Sequence, residues 1–369
     1  SFYELTGFEP SAALNITLPV GISFFTFQTM SYSIDLYRRR IPVCKDVFQF
    51  SLFVAFFPQL VAGPIVRASE FLPQLKEPVR LTAANTKLGL QIFLLGMLQK
   101  TLIADNLSVF VDPVFATPSL YDSGTLWVAM GAYGLQIFCD FSGYSLMAIG
   151  VGRVLGFVLP INFRTPYLAQ SITDFWRRWH ISLSTWLRDY LYISLGGNRK
   201  GRFRADMNLM ITMFLGGLWH GAGWTFVAWG VLHGLGLIVH KHWSARIRTD
   251  GWPTHTTRVY NLCSFAITLL YVHLLWVLFR CTDFSLAIQF IQGLFAGIGE
   301  MHWVHIPSVL LMGIMAGWHW LHFRGSQWVH ALPADNPNRL LSLTLLGSGM
   351  LALLAFGSFD SNPFIYFQF

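Results

Sequence analysis

The stretch MNLMITMFLGGLWHGAGWTFVAWGVLHGLGLIVH (207–240) contains no Asp, Glu, Lys or Arg. As a single helix, its 34 residues would measure about 51 Å, well beyond the roughly 30 Å hydrocarbon core of a bilayer. Four glycines fall within residues 216–223 and favour a break there. The pattern therefore predicts a segment that enters the membrane, turns near His220 and returns.

Basic residues on both sides of this stretch indicate the face from which it enters. Lysine and arginine accumulate in cytoplasmic loops, so we expect the basic sets of this chain to face the cytoplasm. These sets are Arg38–Arg40, then Arg199, Lys200, Arg202 and Arg204, and finally Lys241, Arg246 and Arg248. Because the last two sets flank residues 207–240, both ends of that segment are predicted to be cytoplasmic.

The composition of the whole chain is typical of a membrane protein. Of its 369 residues, 54% are hydrophobic and only 12% are charged, whereas soluble domains average about 25% charged residues. The aromatic content excludes a disordered chain, and four scattered cysteines without a C-x-x-C pair exclude a disulfide scaffold. We attribute the net charge of +7 to basic loops and expect no nucleic-acid partner.

Uncharged stretches recur along the chain and define the predicted fold class. They occupy residues 10–34, 47–66, 88–99, 123–139, 141–152, 259–279, 303–323 and 340–359. The stretch at 47–66 contains Pro58 and Pro64, which predict a break. We predict an all-α polytopic membrane protein, a helical bundle with broken or re-entrant helices around a central polar site. No internal repeat or linker is evident, so residues 1–369 form one domain in this interpretation.

The stretch SITDFWRRWHISLSTWLRDYLY (171–192) is too charged to span a bilayer, and its spacing predicts one amphipathic helix. Its apolar face consists of Phe175, Trp179, Leu183, Trp186 and Tyr190. Its polar face consists of Arg177, His180, Ser184 and Arg188. Two interpretations remain open: a helix that anchors the protein at the membrane surface, and a helix that presents His180 to a functional site.

Asp140 is the only acidic residue between positions 123 and 152. An ionisable side chain at membrane depth is either part of a functional site or paired within the bundle. The structural alternative is a buried carboxyl bonded to Ser142, Tyr144 or Arg153.

The histidines do not follow a known metal-binding pattern. A set of His180, His220, His233 and Asp140 is conceivable, but the H-x-x-x-H and H-E-x-x-H spacings are absent, so we predict no metal site. The sequence contains no G-x-S-x-G nucleophile elbow, the motif that would indicate a serine hydrolase. His233 lies in the returning half of the 207–240 segment, where it either pairs with His220 or packs.

Several long motifs resemble the membrane-bound O-acyltransferase family, in particular its bacterial alginate O-acetylation branch. They are QIFCDFSGYSLMAIGVGRVLGF (136–157), NFRTPYLAQSITDFWRRWHISLSTWLRDYLYISLGGNRKG (162–201), GGLWHGAGWTFVAWGVLHG (216–234) and FIYFQF (364–369). Family members carry further hydrophobic helices before the region that resembles this chain, and the chain starts at Ser1 without a methionine. We therefore expect it to be a fragment that lacks N-terminal helices.

The resemblance implies both an activity and its catalytic residues. His220, in the W-H-G motif, matches the principal catalytic histidine of the family, and His180 matches the second one. An acetyl group is expected to move from a cytoplasmic thioester, acetyl-CoA or another acyl thioester, without a tightly bound cofactor. The expected acceptor is a periplasmic or membrane-anchored acetyltransferase partner or the polysaccharide itself. The expected location is the bacterial inner membrane, which the chain would cross several times.

This chemistry agrees with the residues themselves. A neutral imidazole takes a hydroxyl proton near pH 7, and Trp219, Trp224 and Trp229 are expected to keep water from the thioester. The substrate-binding residues that we predict are Asp140, Ser184, Arg177, Arg188, Trp219, Trp224, Arg202 and Arg204. Of these, Arg202 and Arg204 either attract a phosphate-bearing donor or serve membrane orientation alone.

Two other classes of protein fit the composition. A secondary transporter also has broken helices around a polar midplane site, although it more often shows two matching breaks in related halves. A non-catalytic scaffold of a polysaccharide export or modification complex would not need His220. The W-H-G motif and the aromatic, basic stretch at 171–192 favour the acyltransferase.

Overall fold

The computed structural model describes residues 21–60, 63–79, 81–249, 258–297, 299–324 and 339–358. Within these ranges the regular structure is helical, apart from one isolated β-bridge between Tyr121 and Met301. The helices are α1 (Ile22–Tyr37), α2 (Val47–Ala55), α3 (Phe57–Leu60), α4 (Ala68–Lys76), α5 (Ala83–Met97), α6 (Asp105–Ala116), α7 (Ser123–Val154), α8 (Ile172–Arg178), α9 (Ile181–Trp186), α10 (Arg202–His220), α11 (Trp224–Thr249), α12 (Arg258–Arg280), α13 (Phe284–Ala296), α14 (Ile306–Arg324) and α15 (Arg339–Phe356). The predicted all-α class is confirmed. The motif at 364–369 lies outside the described ranges.

By length and composition, two helical segments of the described chain are able to cross a membrane. One runs from Ala83 to Ala116 through α5, a π-helical turn at Leu98–Ala104, and α6; the other is α12. The break predicted for residues 47–66 is confirmed, since α2 ends at Ala55 and α3 begins at Phe57. Phe56 between them is extended, two residues before Pro58.

Glycines spaced by one heptad bring α5 and α7 into backbone contact. A Cβ atom on Gly96 would lie 2.5 Å from the carbonyl oxygen of Gly143, and one on Gly89 would lie 2.6 Å from that of Gly150. The residue numbers descend along one helix as they rise along the other, so the two helices are antiparallel. Small residues permit this approach in membrane proteins, where dispersion and backbone contacts hold helices together.

A buried ion cluster stands at one end of this glycine contact. The Lys100 ammonium lies 2.7 Å from a carboxylate oxygen of Asp105 and 2.7 Å from one of Asp140. Lys100 belongs to the π-helical turn between α5 and α6, and such wide turns often mark special sites. Asp140 is thus paired within the bundle, and its ion pair with Lys100 is a contact that was not predicted from the sequence.

Helices α10 and α11 form the hairpin that the 207–240 stretch predicts. The chain turns at residues 221–223, directly after His220, and a Cβ atom on Gly217 would lie 3.1 Å from the Cα atom of Gly230. The predicted break is therefore confirmed. Gly216 and Gly217 lie inside α10, and Gly217 lets the two antiparallel helices touch.

The predicted single helix at 171–192 is wrong. Helix α8 ends at Arg178, His180 adopts a left-handed backbone with φ 42°, and α9 begins at Ile181 before a π-helical turn over Leu187–Tyr192. The apolar residues of the predicted stripe, from Phe175 to Tyr190, are nonetheless buried. Because the helix is interrupted at His180, the side chains after His180 are rotated about the chain axis relative to their positions in one continuous helix.

A cluster of tryptophans joins these elements in the largest apolar core. Trp179, Trp229 and Trp276 are each at most 2% exposed and come from the α8–α9 junction, α11 and α12. The ring centroid of Trp276 lies 4.9 Å from that of Trp179 and 5.9 Å from that of Trp229. This cluster links the hairpin to the α8–α9 segment and so places their histidines on one core.

Candidate functional site

His220 is the last residue of α10 and lies among aromatic rings from three helices. Its ring centroid is 4.9 Å from that of Trp219, 5.1 Å from that of Trp229 and 5.2 Å from that of Phe279. The glycine turn that follows ends the helix here, so its imidazole stands at the tip of the hairpin. The ring contacts of His220 named here are therefore aromatic, and the predicted central polar site is not confirmed.

His180 occupies the junction between α8 and α9 and is 1% exposed. Its Nδ1 atom lies 3.1 Å from Oδ1 of Asn162, and its ring meets Phe141 edge-on at 4.6 Å. The backbone N–H of Ile181 donates to the carbonyl of Asn162 at 2.9 Å. Asn162 thus contacts both the side chain of His180 and the backbone that follows it.

His233 is a third buried histidine, and sequence reasoning left it outside the predicted site. It is fully buried on α11, and the indole N–H of Trp176 donates to its Nδ1 atom at 3.2 Å. The ring of Trp229, four residues earlier, lies 4.6 Å away. The sequence feature that could have indicated His233 is its i, i+4 spacing from Trp229 on the returning helix, which places both side chains on the same helical face.

The structure brings the two predicted histidines together and adds His233 to them. The rings of His220 and His233 both contact Trp229, at 5.1 and 4.6 Å, and Trp276 joins Trp229 to Trp179, the residue before His180. Among the described residues, no partner accepts from or donates to the buried Nε2 atoms of His180 and His233. Such imidazoles in an aromatic enclosure are suited to moving a proton while excluding water. The described residues contain no group of three or more His, Cys, Asp or Glu arranged for a metal ion.

Two of the three tryptophans predicted to form a water barrier lie beside His220. Trp219 and Trp229 contact the ring of His220 directly. Trp224 is 69% exposed, because it begins α11 on the far side of the turn, and its inclusion was wrong. Trp176, Trp276 and Phe279 complete the aromatic enclosure instead.

A cavity of about 710 Å³ lies beside the histidines, between the α8–α9 segment and the hairpin. The predicted polar residues Arg177, Ser184 and Arg188 line it together with Lys241, and Trp176 forms part of its wall. His180 does not line it, contrary to the shared helical face that the sequence suggested. The left-handed turn at His180 is the reason, since it directs this side chain towards Asn162.

The cations of this cavity differ in their partners. Arg188 donates to Asp189 through Nε at 2.6 Å, and Lys241 lies 2.8 Å from Asp206. Burial raises the pKa of Asp189, but hydrogen bonds from Arg188 and Arg67 outweigh this and lower it below the usual range. In the described part of the chain, Arg177 has no ion pair or hydrogen bond of this kind, so its charge is available to a ligand.

Arg202 and Arg204 are exposed at the start of α10. The chain reaches them through a turn in which Gly196, Gly197 and Gly201 adopt positive φ angles, as glycine allows. Asn198 in the same turn lines the cavity, so the basic pair lies at the cavity's end of the molecule. Asp140 does not line this cavity; its carboxylate lies in the separate ion cluster with Lys100.

Comparison with known proteins identifies the family. Residues 16–282 match the membrane-bound O-acyltransferase family. The chain is 38% identical to a Pseudomonas putida protein named probable alginate O-acetylase AlgI, with 98% of this chain and 77% of that protein aligned. It is 42% identical to the Pseudomonas aeruginosa protein of the same name (84% and 58% aligned) and 39% identical to a peptidoglycan O-acetyltransferase of Helicobacter pylori (80% and 60% aligned). The chain therefore spans 58% to 77% of these relatives. With its helical fold and its paired histidine motifs, the chain belongs to the membrane-bound O-acyltransferase family and is an acyltransferase of membranes.

Proposed function

We propose that the protein is an O-acetyltransferase that moves an acetyl group from a cytoplasmic thioester towards a periplasmic acceptor, for O-acetylation of an exopolysaccharide such as alginate. Relatives named alginate O-acetylase and peptidoglycan O-acetyltransferase support this substrate class. The observation that carries the proposal is that His180 and His220, 40 residues apart in sequence, meet one aromatic cluster: His180 directly follows Trp179, and His220 contacts Trp229.

His220 is the general base in this proposal. Its imidazole takes the proton of the acceptor hydroxyl while the oxygen attacks the thioester carbonyl, and a tetrahedral oxyanion forms. The carbon–sulfur bond then breaks, and the proton passes to the leaving thiolate. Backbone N–H groups at residues 221–223 supply donors to the oxyanion, and the aromatic enclosure keeps water from the thioester.

The 710 Å³ cavity is the entrance for the donor in this proposal. Coenzyme A or a phosphopantetheine arm carries phosphate, which an unpaired guanidinium such as that of Arg177 binds well. Among the α10 residues that line the cavity, Met213 is the nearest to His220 along the helix. The seven residues from Met213 to His220 correspond to a rise of about 10 Å at 1.5 Å per residue. Trp176 lies between the cavity and the buried histidines, because its ring lines the cavity and also contacts His233.

The acceptor and location complete the proposal. The acetyl group passes to a periplasmic or membrane-anchored acetyltransferase or directly to the polymer. The chain lies in the bacterial inner membrane, crosses it several times, and holds the thioester as a substrate without a tightly bound cofactor. Two described segments long enough to cross a bilayer and the basic residues at one end support this arrangement.

The test is acetyl-ester content of the exopolymer from cells that express wild type, His220→Ala or His220→Gln at equal membrane abundance. Loss of a general base costs about 10²–10⁴-fold, so both variants should be nearly inactive. His273→Ala is the matched control, because His273 is a partly buried histidine that bonds to the carbonyl of Leu269 in its own helix. Wild-type acetylation by either His220 variant would refute the proposed base.

A further inference from the structure

We propose that Asn162 is a positioning residue that holds the proton of His180 on Nδ1 and leaves Nε2 as its basic atom. The inference rests on the proposed function, since it concerns the chemical state of a histidine of that site. It goes beyond the two histidines by assigning a role to Asn162, which begins the motif at 162–201 but has no role in the predicted site.

The orientation of the Asn162 amide is set by its neighbours. The backbone N–H of Ser182, which is only a donor, lies 3.2 Å from Oδ1 of Asn162. The Ser182 hydroxyl donates to the same oxygen at 2.8 Å while it accepts the backbone N–H of Ile65 at 3.0 Å. The amide nitrogen of Asn162 donates to the hydroxyl of Ser145 at 3.1 Å. These contacts require oxygen on the side of the amide that faces His180.

A carbonyl oxygen facing Nδ1 fixes the tautomer of His180. Oδ1 of Asn162 can only accept, so the Nδ1 atom 3.1 Å away must carry the proton. A neutral imidazole then has its lone pair on Nε2. That Nε2 atom is buried and has no hydrogen-bond partner among the residues that the structure describes. His180 therefore presents an unoccupied basic atom inside the aromatic enclosure.

The backbone of His180 indicates that this orientation is actively maintained. A non-glycine residue at φ 42° and ψ 56° lies in the left-handed region, which side chains with a Cβ atom disfavour. The bond from the Ile181 N–H to the Asn162 carbonyl, 2.9 Å long, stabilises this turn. Strained residues held by their surroundings concentrate at functional sites.

The charges around His180 favour an amide over a carboxylate at position 162. The titratable neighbour that acts on His180 is His220, across the aromatic cluster. Phe141 and Asn162, which contact the ring, are uncharged. A neutral amide orients the imidazole without stabilising its protonated form, so His180 remains available as a base.

The first test compares turnover of Asn162→Leu, Asn162→Asp and Ser145→Ala in membrane vesicles supplied with acetyl-CoA. Asn162→Leu should lower kcat about 10²-fold or more with little change in KM. Asn162→Asp keeps the acceptor and should restore most of the rate, with the acid limb of the pH profile moved to higher pH because a carboxylate favours imidazolium. Ser145→Ala should lower kcat much less than Asn162→Leu, since Ser145 and Asn162 line a 70 Å³ cavity in which water can replace the lost hydroxyl. Equal losses in all three variants would overturn the inference.

Two further measurements separate this inference from the proposed function. In a His180→Ala background, Asn162→Leu should cause no further loss, whereas an additional loss of similar size would show that Asn162 acts independently. Solid-state 15N spectra of histidine-labelled protein need no activity. The His180 signal is the one that is missing from the spectrum of His180→Ala. In wild type this signal should report a proton on Nδ1, and in Asn162→Leu it should report a mixture of tautomers. A proton on Nε2 in wild type would overturn the inference even if acetyl transfer is confirmed.

Discussion

At the scale of single residues, the cavity beside the histidines contains one cation that is ready for an anionic ligand. Arg188 and Lys241 are ion-paired with Asp189 and Asp206. Arg177 lines the same cavity, is exposed, and makes no ion pair within the described residues. A guanidinium without an internal partner loses no protein contact when it binds phosphate, so Arg177 is the stronger choice for donor recognition.

We expect Arg177→Gln to raise the concentration of acetyl-CoA that gives half-maximal transfer by about tenfold, which corresponds to one charged hydrogen bond of about 1.4 kcal/mol. The maximal rate should change little, because Arg177 does not contact the histidines. Arg153→Gln is the control, since it removes the same charge at the end of α7 away from the cavity. Identical donor dependence in the two variants would contradict a role for Arg177.

At the scale of helices, two close antiparallel contacts give the molecule its shape. Glycines permit both, Gly96 against Gly143 between α5 and α7 and Gly217 against Gly230 within the hairpin. A side chain at these positions would meet backbone, which cannot rotate away as a flexible side chain does. The ion cluster of Lys100 then fixes the α5–α6 segment to α7 along the helix axis.

We expect Gly96→Leu to separate α5 from α7 and to destabilise the protein by about 3 kcal/mol or more, the upper range for overpacking. The measurement is the thermal unfolding midpoint in detergent. Gly313→Leu is the control, because a Cβ atom on Gly313 meets nothing within 4 Å. Equal midpoints for the two variants would show that the contact of α5 with α7 tolerates a side chain.

We expect Lys100→Met to be strongly destabilising, by about 3–5 kcal/mol, because it leaves Asp105 and Asp140 buried without their cation. Replacing all three, with Asp105→Asn and Asp140→Asn added, should recover much of that loss, since no charge stays buried. The same unfolding measurement compares the single and triple variants. If the triple variant is no more stable than Lys100→Met, the Lys100 ammonium stabilises the bundle by more than neutralising the two carboxylates.

At the scale of the whole molecule, the two ends differ in charge and in shape. One end carries Arg202, Arg204 and Lys241 beside the open cavity. The other end carries the β-bridge of Tyr121 with Met301 and the ion pair of Arg280 with Asp112. Since α10 starts at the basic end and finishes at His220, the hairpin leads from the cavity's end towards His220.

We expect reversal of Arg202 and Arg204 to Glu to raise the half-saturating acetyl-CoA concentration at low salt while the maximal rate is largely kept. Screening over about 8 Å at physiological ionic strength should reduce the difference from wild type as salt rises. Labelling of an Arg199→Cys cysteine from each side of the membrane checks that the orientation is unchanged. Unchanged orientation with wild-type donor dependence would leave membrane orientation as the only role of this pair.

Periodicity and motifs predicted much of this arrangement, with errors where the chain breaks a pattern. The uncharged 207–240 stretch correctly predicted a turn after His220, and the apolar stripe from Phe175 to Tyr190 is buried. A single helix through His180 was wrong, because helical periodicity continues across a residue that tertiary contacts hold in a left-handed conformation. Trp224 was misplaced for a related reason: proximity in sequence to His220 does not determine on which side of a turn a ring lies.

The sequence by itself determined the helical membrane class, the family, and His220 and His180 as the pair to examine. These conclusions depend on composition, spacing and motifs, which are local properties of a chain. Only the tertiary structure decided that Lys100 pairs with Asp140, that Trp176 contacts His233, and that Asn162 faces His180. Each of these contacts joins segments separated by 18 to 57 residues whose approach depends on packing of the entire bundle, so no local pattern specifies which polar groups meet.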